Sequence, residues 1–447
     1  MIVWLMIAVL SAFAWYIRPV LPIDETRYLA VAYDMFQSNN YLVPHLNGEL
    51  YSHKPPLLFW LITSGWKLFG LSSLWPRLLG VIALALNALL LKKLAIAIWP
   101  DRQQLASIAP KVYLCTFFPL LFSSLIFFDL WLSVFVMMSW LAIFSFSRTQ
   151  QFAPTSLMLG LGIGFGILTK GPVILVFILP PLIFRKTFTQ VSLFKFAATG
   201  IGLGLLIALM WAVPAAIYGG DKYRDAIFIK QTVSRIASNS GGSVSGATMH
   251  ARPFWFFLAL LPALMMPWTF IKDIYTKHHH PFLLSTTLPA ILIFSLMSGK
   301  QPHYLLPLFP ALALMVSDKI RLRQQQLGWG PVVLLVTTFA AVLFTYSFLV
   351  IPEQNFPARN SLITAAATLA VVAILLIGLK SKIRTKPFGL WLTAAPILIA
   401  AIHLALGSQL SKQYDMRPLA QQAHSWQQQG FEVAYWGSYH GQLNFPG

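Results

Sequence analysis

The residues of this chain that could do chemistry stand in short polar stretches between long apolar runs. Asp24, Glu25 and Arg27 lie in DETRY, just after the first run, and Tyr51, His53 and Lys54 lie in YSHKPP before the next. Asp129 sits in IFFDLWLS, Lys170 in LTKGPV and Arg235 in FIKQTVSRI. His250 and Arg252 precede PFW, and Lys300, His303 and Tyr304 fall in SGKQPHYLLPLFP. Carboxylates and histidines are the groups from which acid–base chemistry is built, and clustered cations suit an anionic ligand. The plain alternative for each residue is an interface role, because Lys and Arg snorkel and Tyr anchors at a membrane surface. That alternative fits Asp129 poorly. A carboxylate between Phe128 and Leu130 has no stem with which to reach water, and a charge there needs a partner or a task.

The elements that must position these groups are apolar helices. The chain has 447 residues, of which 57% are hydrophobic and only 10% charged, far below the roughly 25% charge of a soluble domain. An all-α polytopic membrane protein is expected. About thirteen spans are legible, each near the length that crosses a bilayer: 1–17, 72–91, 104–124, 127–147, 155–169, 172–184, 197–217, 253–271, 282–298, 301–317, 331–351, 361–379 and 388–407. The break at Gly171-Pro172 either separates two short spans or kinks one. Within the long loop 18–71, helical spacing of Asp24, Arg27, Val31 and Asp34 predicts one helix along the outer surface, and the apolar stripe through Leu57, Leu61 and Trp66 predicts a second.

Charge orients the bundle. With a cytoplasmic N-terminus, the inner loops hold 17 of the 32 Lys and Arg and three acids, a net +14, against 15 bases and ten acids, +5, outside. Every inner loop is then basic, as the positive-inside rule requires. The triple His278-His279-His280 reads as part of such a loop. The outer side still keeps more cations than the rule predicts, and an anionic ligand would explain them. The net charge of +19 reflects this topology and gives no reason to expect nucleic acid as a partner; no basic stretch is interleaved with stacking aromatics. The first span lacks the basic start of a signal peptide, so Ala12-Phe13-Ala14 is not expected to be cleaved. The second long outer loop, 218–252, contains SNSGGSVSG at 238–246, which suits either a linker or a substrate lid. Cys115 lies within an apolar run and reads as a small hydrophobe. The domains are expected to be 1–407, the membrane part with loops 18–71 and 218–252 as its roof, and 408–447, an outer tail. The tail is too short to fold alone, so it either packs on the membrane part or is a truncated remnant; residues 431–436 resemble a strand.

The order and spacing of DETRY, YSHKPP, an outer Asp opening a span, TKG, PFW followed by PW, and GKQPHYLLPLFPALAL resemble the GT-C membrane glycosyltransferases. More specifically, they resemble bacterial relatives of the protein O-mannosyltransferases, including the aminoarabinose transferase of lipid A. The likeness runs from about residue 20 to residue 316. It implies a GT-C bundle and transfer of a sugar from a polyprenyl-phosphate donor to a lipid or glycan acceptor of the lipopolysaccharide type. The location implied is the periplasmic face of the inner membrane, among membrane lipids. By this resemblance Arg27, Tyr51, Lys54, Lys170, Arg235 and Tyr304 match positions that bind the lipid phosphate. Asp24 matches the first-loop acid, a general base or acceptor-positioning group, and Asp129 a second acid that organises the pocket. Glu25, His250, Lys300 and His303 are further candidates.

This chain departs from the pattern at His53, where the aminoarabinose enzymes carry a Glu associated with a metal. His53 can ligate Zn²⁺, act as an acid or base, or simply hydrogen-bond; a divalent metal, Zn²⁺ or Mg²⁺, is the one cofactor this position admits. Gln231 replaces another Glu, and the tail is shorter. Two rival readings are a protein O-mannosyltransferase-like enzyme and, from a different class, a transporter or flippase of lipid-linked sugars. A transporter tends to place its charged sites near the midplane, within repeats. Here the acids sit at outer ends and no repeat is visible.

Overall fold

The structure, a computed structural model, describes residues 2–183, 190–230, 252–271, 274, 279–297, 299–323, 327–349, 356–378, 387–436 and 439–445. It is built of helices, with one two-residue hairpin, His45–Leu46 (β1) against Glu49–Leu50 (β2). Helix α1 spans Ile2–Ile17, followed by the polar α2, Asp24–Ser38, and α3, Leu57–Phe69. These are the helices expected in loop 18–71. Then come α4 (Leu74–Ile98), α5 (Gln103–Leu114), α6 (Phe117–Phe122), α7 (Asp129–Thr149), α8 (Phe152–Lys170), α9 (Ile174–Ile183) and α10 (Gln190–Asp225). The remainder is α11 (Phe256–Leu264), α12 (Pro281–Leu296), α13 (Phe309–Arg323), α14 (Gly330–Leu349), α15 (Phe356–Gly378), α16 (Pro387–Tyr414) and α17 (Arg417–Gln428).

By length and composition, seven helical runs among the described residues can cross a membrane. The chain is an all-α, multi-pass membrane protein. One of the seven runs, Phe152–Ile183, is not straight. A Cβ on Gly166 would fall 1.9 Å from Ile174 Cδ1, whereas eight residues of continuous helix would separate the two by about 12 Å. The chain therefore turns back at Gly171, whose φ is +73°, and α9 descends beside α7, where Trp140 Nε1 donates to the Phe177 carbonyl at 2.9 Å.

Proline breaks several expected spans. In 301–317 the first half is a 3₁₀ segment, Pro302–Leu308, carrying Pro302 and Pro307. In 253–271 the α-helix ends at Leu264, before Pro267. Elsewhere glycine draws helices together. In α8 and α10, Gly160 faces Leu203 and Gly204 faces Ile163; a Cβ on either glycine would lie 2.6 Å from its neighbour's Cβ. Small residues four apart allow such close approach where lipid supplies no hydrophobic drive.

The tail packs on the membrane part. Phe445 stacks on Trp66 at 5.2 Å, and Asn444 Nδ2 donates to Asn47 Oδ1 at 2.8 Å. The strand expected at 431–436 does not form: those residues have no ladder partner and are exposed.

Candidate active site

The site begins where α7 and α8 meet. They are antiparallel and joined by a tight turn at Gln150-Gln151, with Gln150 in the left-handed region at φ 54°. This connection puts the first residue of α7 level with the last of α8. Asp129 sits at the positive end of its helix dipole and Lys170 at the negative end of its own, so each charge is favoured by its helix. The two form a buried ion pair, with side chains 3% and 7% exposed. Lys170 Nζ also lies 4.9 Å from the centroid of the Tyr304 ring. The expected phosphate ligand is thus already held by the second acid.

Helix α2 closes one side of the site. Asp24 opens it and pairs with Arg27 one turn later; the Tyr28 hydroxyl donates to Asp24 Oδ1 at 3.4 Å. Asp24 is the open member, its side chain 42% exposed. Arg27 Nε and the Tyr51 hydroxyl are buried with no hydrogen-bond partner among the described residues. Burial pushes the Tyr51 hydroxyl up to about 12, with Arg27 opposing and Asp24 adding, so at neutral pH it remains a proton donor. Burial works against the Arg27 charge, but Tyr51, Tyr28 and Asp24 hold its pKa above the usual arginine value.

The two halves form one cluster. Lys54 and His303 lie near enough to Asp129 for their charges to act on it, and His303 also feels Lys170, Lys54 and Asp24. The His53 ring lies 5.3 Å from Tyr51, and the His303 ring 5.0 Å from Tyr304. A floor of Tyr28, Phe59 and Phe128 in edge contact supports Tyr51. Asp24, Arg27, Tyr51, His53, Lys54, Asp129, Lys170, His303 and Tyr304 thus come together from five parts of the chain.

Other candidates lie elsewhere or outside the described residues. Glu25 is 1% exposed and points away from the cluster. It pairs with Arg18 and accepts the Leu21 and Ile126 N–H groups at 2.8 Å each, locking the start of α2 to the segment before α7. Burial alone would raise its pKa, but the Arg18 guanidinium holds the carboxyl below its usual range. Lys300 donates to the Arg252 carbonyl at 2.8 Å and to that of Met297, which makes it a backbone clamp. Arg235 and His250 lie outside the described residues, as do Gln231, the Gly/Ser tract and His278. No group of three His, Cys, Asp or Glu side chains able to hold a metal stands together among the described residues, with His53 or elsewhere. Tyr28 was not singled out from the sequence. Its place four residues after Asp24, one helical turn, was the available signal.

No family model matches the chain. Among curated proteins it is similar to the undecaprenyl phosphate-alpha-4-amino-4-deoxy-L-arabinose arabinosyl transferase of Pseudomonas savastanoi pv. phaseolicola. That protein is 30% identical over 326 residues, which cover 66% of this chain and 56% of the relative. The protein of the same name from Erwinia tasmaniensis is 30% identical over 311 residues, covering 66% and 54%. The chain spans about half the length of the curated relatives it matches. Among solved structures it shares the fold of ArnT from Cupriavidus metallidurans bound to undecaprenyl phosphate, with a TM-score of 0.77 at 18% identity over 99% of this chain and 84% of that one. Against the apo form of the same protein the TM-score is 0.75 at 18% identity, over 99% and 83%. The resemblance read from the motifs and the GT-C type of bundle are both borne out.

Proposed function

We propose that this chain is an inverting glycosyltransferase that moves a sugar from a polyprenyl-phosphate donor to a lipid or glycan acceptor of the lipid A type. It works at the periplasmic face of the bacterial inner membrane, with the N-terminus cytoplasmic and the C-terminus outside. The observation that carries this reading is the cluster around Asp24 and Asp129: two acids of different exposure beside cations and a buried phenol, with Arg27 Nε and the Tyr51 hydroxyl unpartnered among the described residues. The relatives' name makes 4-amino-4-deoxy-arabinose the first sugar to try.

In this reaction the bond from the anomeric carbon to the phosphate oxygen breaks, and the phosphate leaves with the electron pair. An acceptor hydroxyl attacks from the opposite face and loses its proton. Asp24, the more open acid, takes that proton. Arg27, Tyr51 and Lys54 face the charge that grows on the phosphate, with Arg235 as a further guanidinium. Asp129 holds Lys170 in place over Tyr304. Arg27 links the two tasks: moving from Asp24 to the phosphate would free the base when the donor arrives.

The test uses detergent-purified protein with polyprenyl-phosphate aminoarabinose and lipid A. Release of polyprenyl phosphate that requires the acceptor is expected, with a matching mass gain on the acceptor. Passage of intact donor across proteoliposomes with no release would instead identify a flippase and overturn the proposal.

A further inference from the structure

On the opposite flank of α2 from Asp24 and Arg27 lies a second cavity, of about 140 Å³. It opens between the outer ends of α1, α4 and α16 and the start of α17, and Arg18, Arg77 and Arg417 line it. Arg77 is 5% exposed and donates one hydrogen bond, from Nη1 to the Trp15 carbonyl at 3.1 Å. Its Nε is buried without a partner among the described residues, as are Arg18 Nε and Trp15 Nε1. The charges acting on Arg77 are Arg18 and Arg417, which repel it, and Glu25, which attracts it. Glu25 is already engaged by Arg18 and two backbone N–H groups. Asp415 also lines the cavity, and Arg417 holds its carboxylate through bonds of 2.6 and 2.8 Å. Three guanidiniums thus face two carboxylates that both have partners.

A buried guanidinium with no counter-ion of its own is retained where something else neutralises it. We infer that this cavity is a second anion site, separate from the acid–cation cluster, and that it takes a phosphate group. Three unpartnered N–H donors from two elements suit an acceptor with several oxygens, and arginine is the side chain best shaped for phosphate. The cavity sits where α1, α4 and α16 reach the outer surface, with the aromatic Trp15 and Tyr16 at its edge. That is the depth of lipid headgroups, so a lipid phosphate and free phosphate share this chemistry. The inference stands whether or not the chain is a glycosyltransferase.

The experiment follows thermal unfolding of the purified full chain in detergent at constant ionic strength, titrating inorganic phosphate against chloride. Phosphate should stabilise the wild type saturably. In Arg77→Met the effect should fall to whatever part the Lys54 cluster supplies, while the melting temperature without phosphate stays equal or rises, because the lost charge had no counter-ion of its own. Should Arg77→Met fail to fold, the exposed Arg417→Ala gives the same test, with a phosphate midpoint weaker by about tenfold, the effect of one charged contact. Lys54→Met, in the other cluster, should leave the Arg77-dependent stabilisation intact. Equal stabilisation in wild type and both arginine variants, or its loss in Lys54→Met alone, overturns the inference. A parallel titration with short-chain phosphatidic acid against phosphatidylcholine identifies the source. An Arg77-dependent shift at lower concentration than inorganic phosphate assigns a lipid headgroup, and a shift with inorganic phosphate alone assigns the free ion.

Discussion

Removing the Asp129 carboxylate while keeping its shape, as in Asp129→Asn, would leave Lys170 charged and buried without its counter-ion. The two side chains are 3% and 7% exposed, so water does little to compensate. Breaking a buried pair in this way costs about 3–5 kcal/mol. A melting temperature moves roughly 2–4 °C per kcal/mol in domains of 150–250 residues and less in longer chains. A fall of roughly 5–10 °C is therefore expected. Lys170→Met strands the opposite charge and should cost a similar amount. The double variant strands neither, so its stability should return to within about 1 kcal/mol of wild type, and the cycle should give a coupling of about 3 kcal/mol or more. Sugar transfer should stay lost in all three variants. Fluorescence-detected unfolding in detergent, paired with a transfer assay, reads both quantities. A double variant whose loss equals the sum of the single losses would refute the pair as a coupled unit, and full activity in Lys170→Met would refute its place in the site.

Asp24→Asn should cut transfer by at least about a hundredfold, the scale of acid–base catalysis, and leave the melting temperature unchanged because the side chain is half open; near-normal turnover removes Asp24 from the role of base. Tyr51→Phe and Arg27→Lys should each weaken donor use by about ten- to a hundredfold, from loss of roughly 1.5–3 kcal/mol per charged hydrogen bond, read as kcat/KM at varied donor; a change below about twofold in both counts against a phosphate contact. His53→Gln should keep most activity and EDTA should have no effect; joint loss of activity in the two tests would restore a metal role for His53. Glu25 has a folded pKa below its usual 4.5, so its stabilisation is full above about pH 4.5 and is lost as pH falls through the lower folded value. The melting-temperature gap between wild type and Glu25→Gln should therefore be wide at pH 7 and close on acidification; a gap that does not change with pH contradicts the Arg18–Glu25 lock.

The helical organisation is readable from apolar run length and loop charge, because a bilayer admits few other solutions. Even the two helices of loop 18–71 follow from spacing alone. The assembly of Asp24, Tyr51, Lys54, Asp129, Lys170 and Tyr304 is also legible, since polar residues at the outer ends of spans share one side of the membrane. What sequence does not carry is pairing. Glu25 is adjacent to Asp24 and looks equivalent, but one step along a helix rotates a side chain by about 100°, enough to turn it from the cluster toward Arg18. Lys300 looks like a further cation for an anion, yet it serves the carbonyls of Arg252 and Met297. Residues 431–436 have the composition of a strand but stand exposed and outside any ladder among the described residues. The finer breaks at Pro267, Pro302 and Pro307 are visible in hindsight, as proline leaves open whether a helix kinks or stops.

During synthesis, α7 emerges before the helix that neutralises its first residue. Lys170 appears 41 residues after Asp129, and a lone carboxylate is poorly tolerated next to lipid. The tight turn at Gln150-Gln151 removes the difficulty if the two segments leave the insertion machinery together, as a hairpin whose open end carries both charges. Lengthening that turn would then impair biogenesis before it altered the folded protein, and the defect would appear as reduced membrane insertion, with normal specific activity in the molecules that do insert.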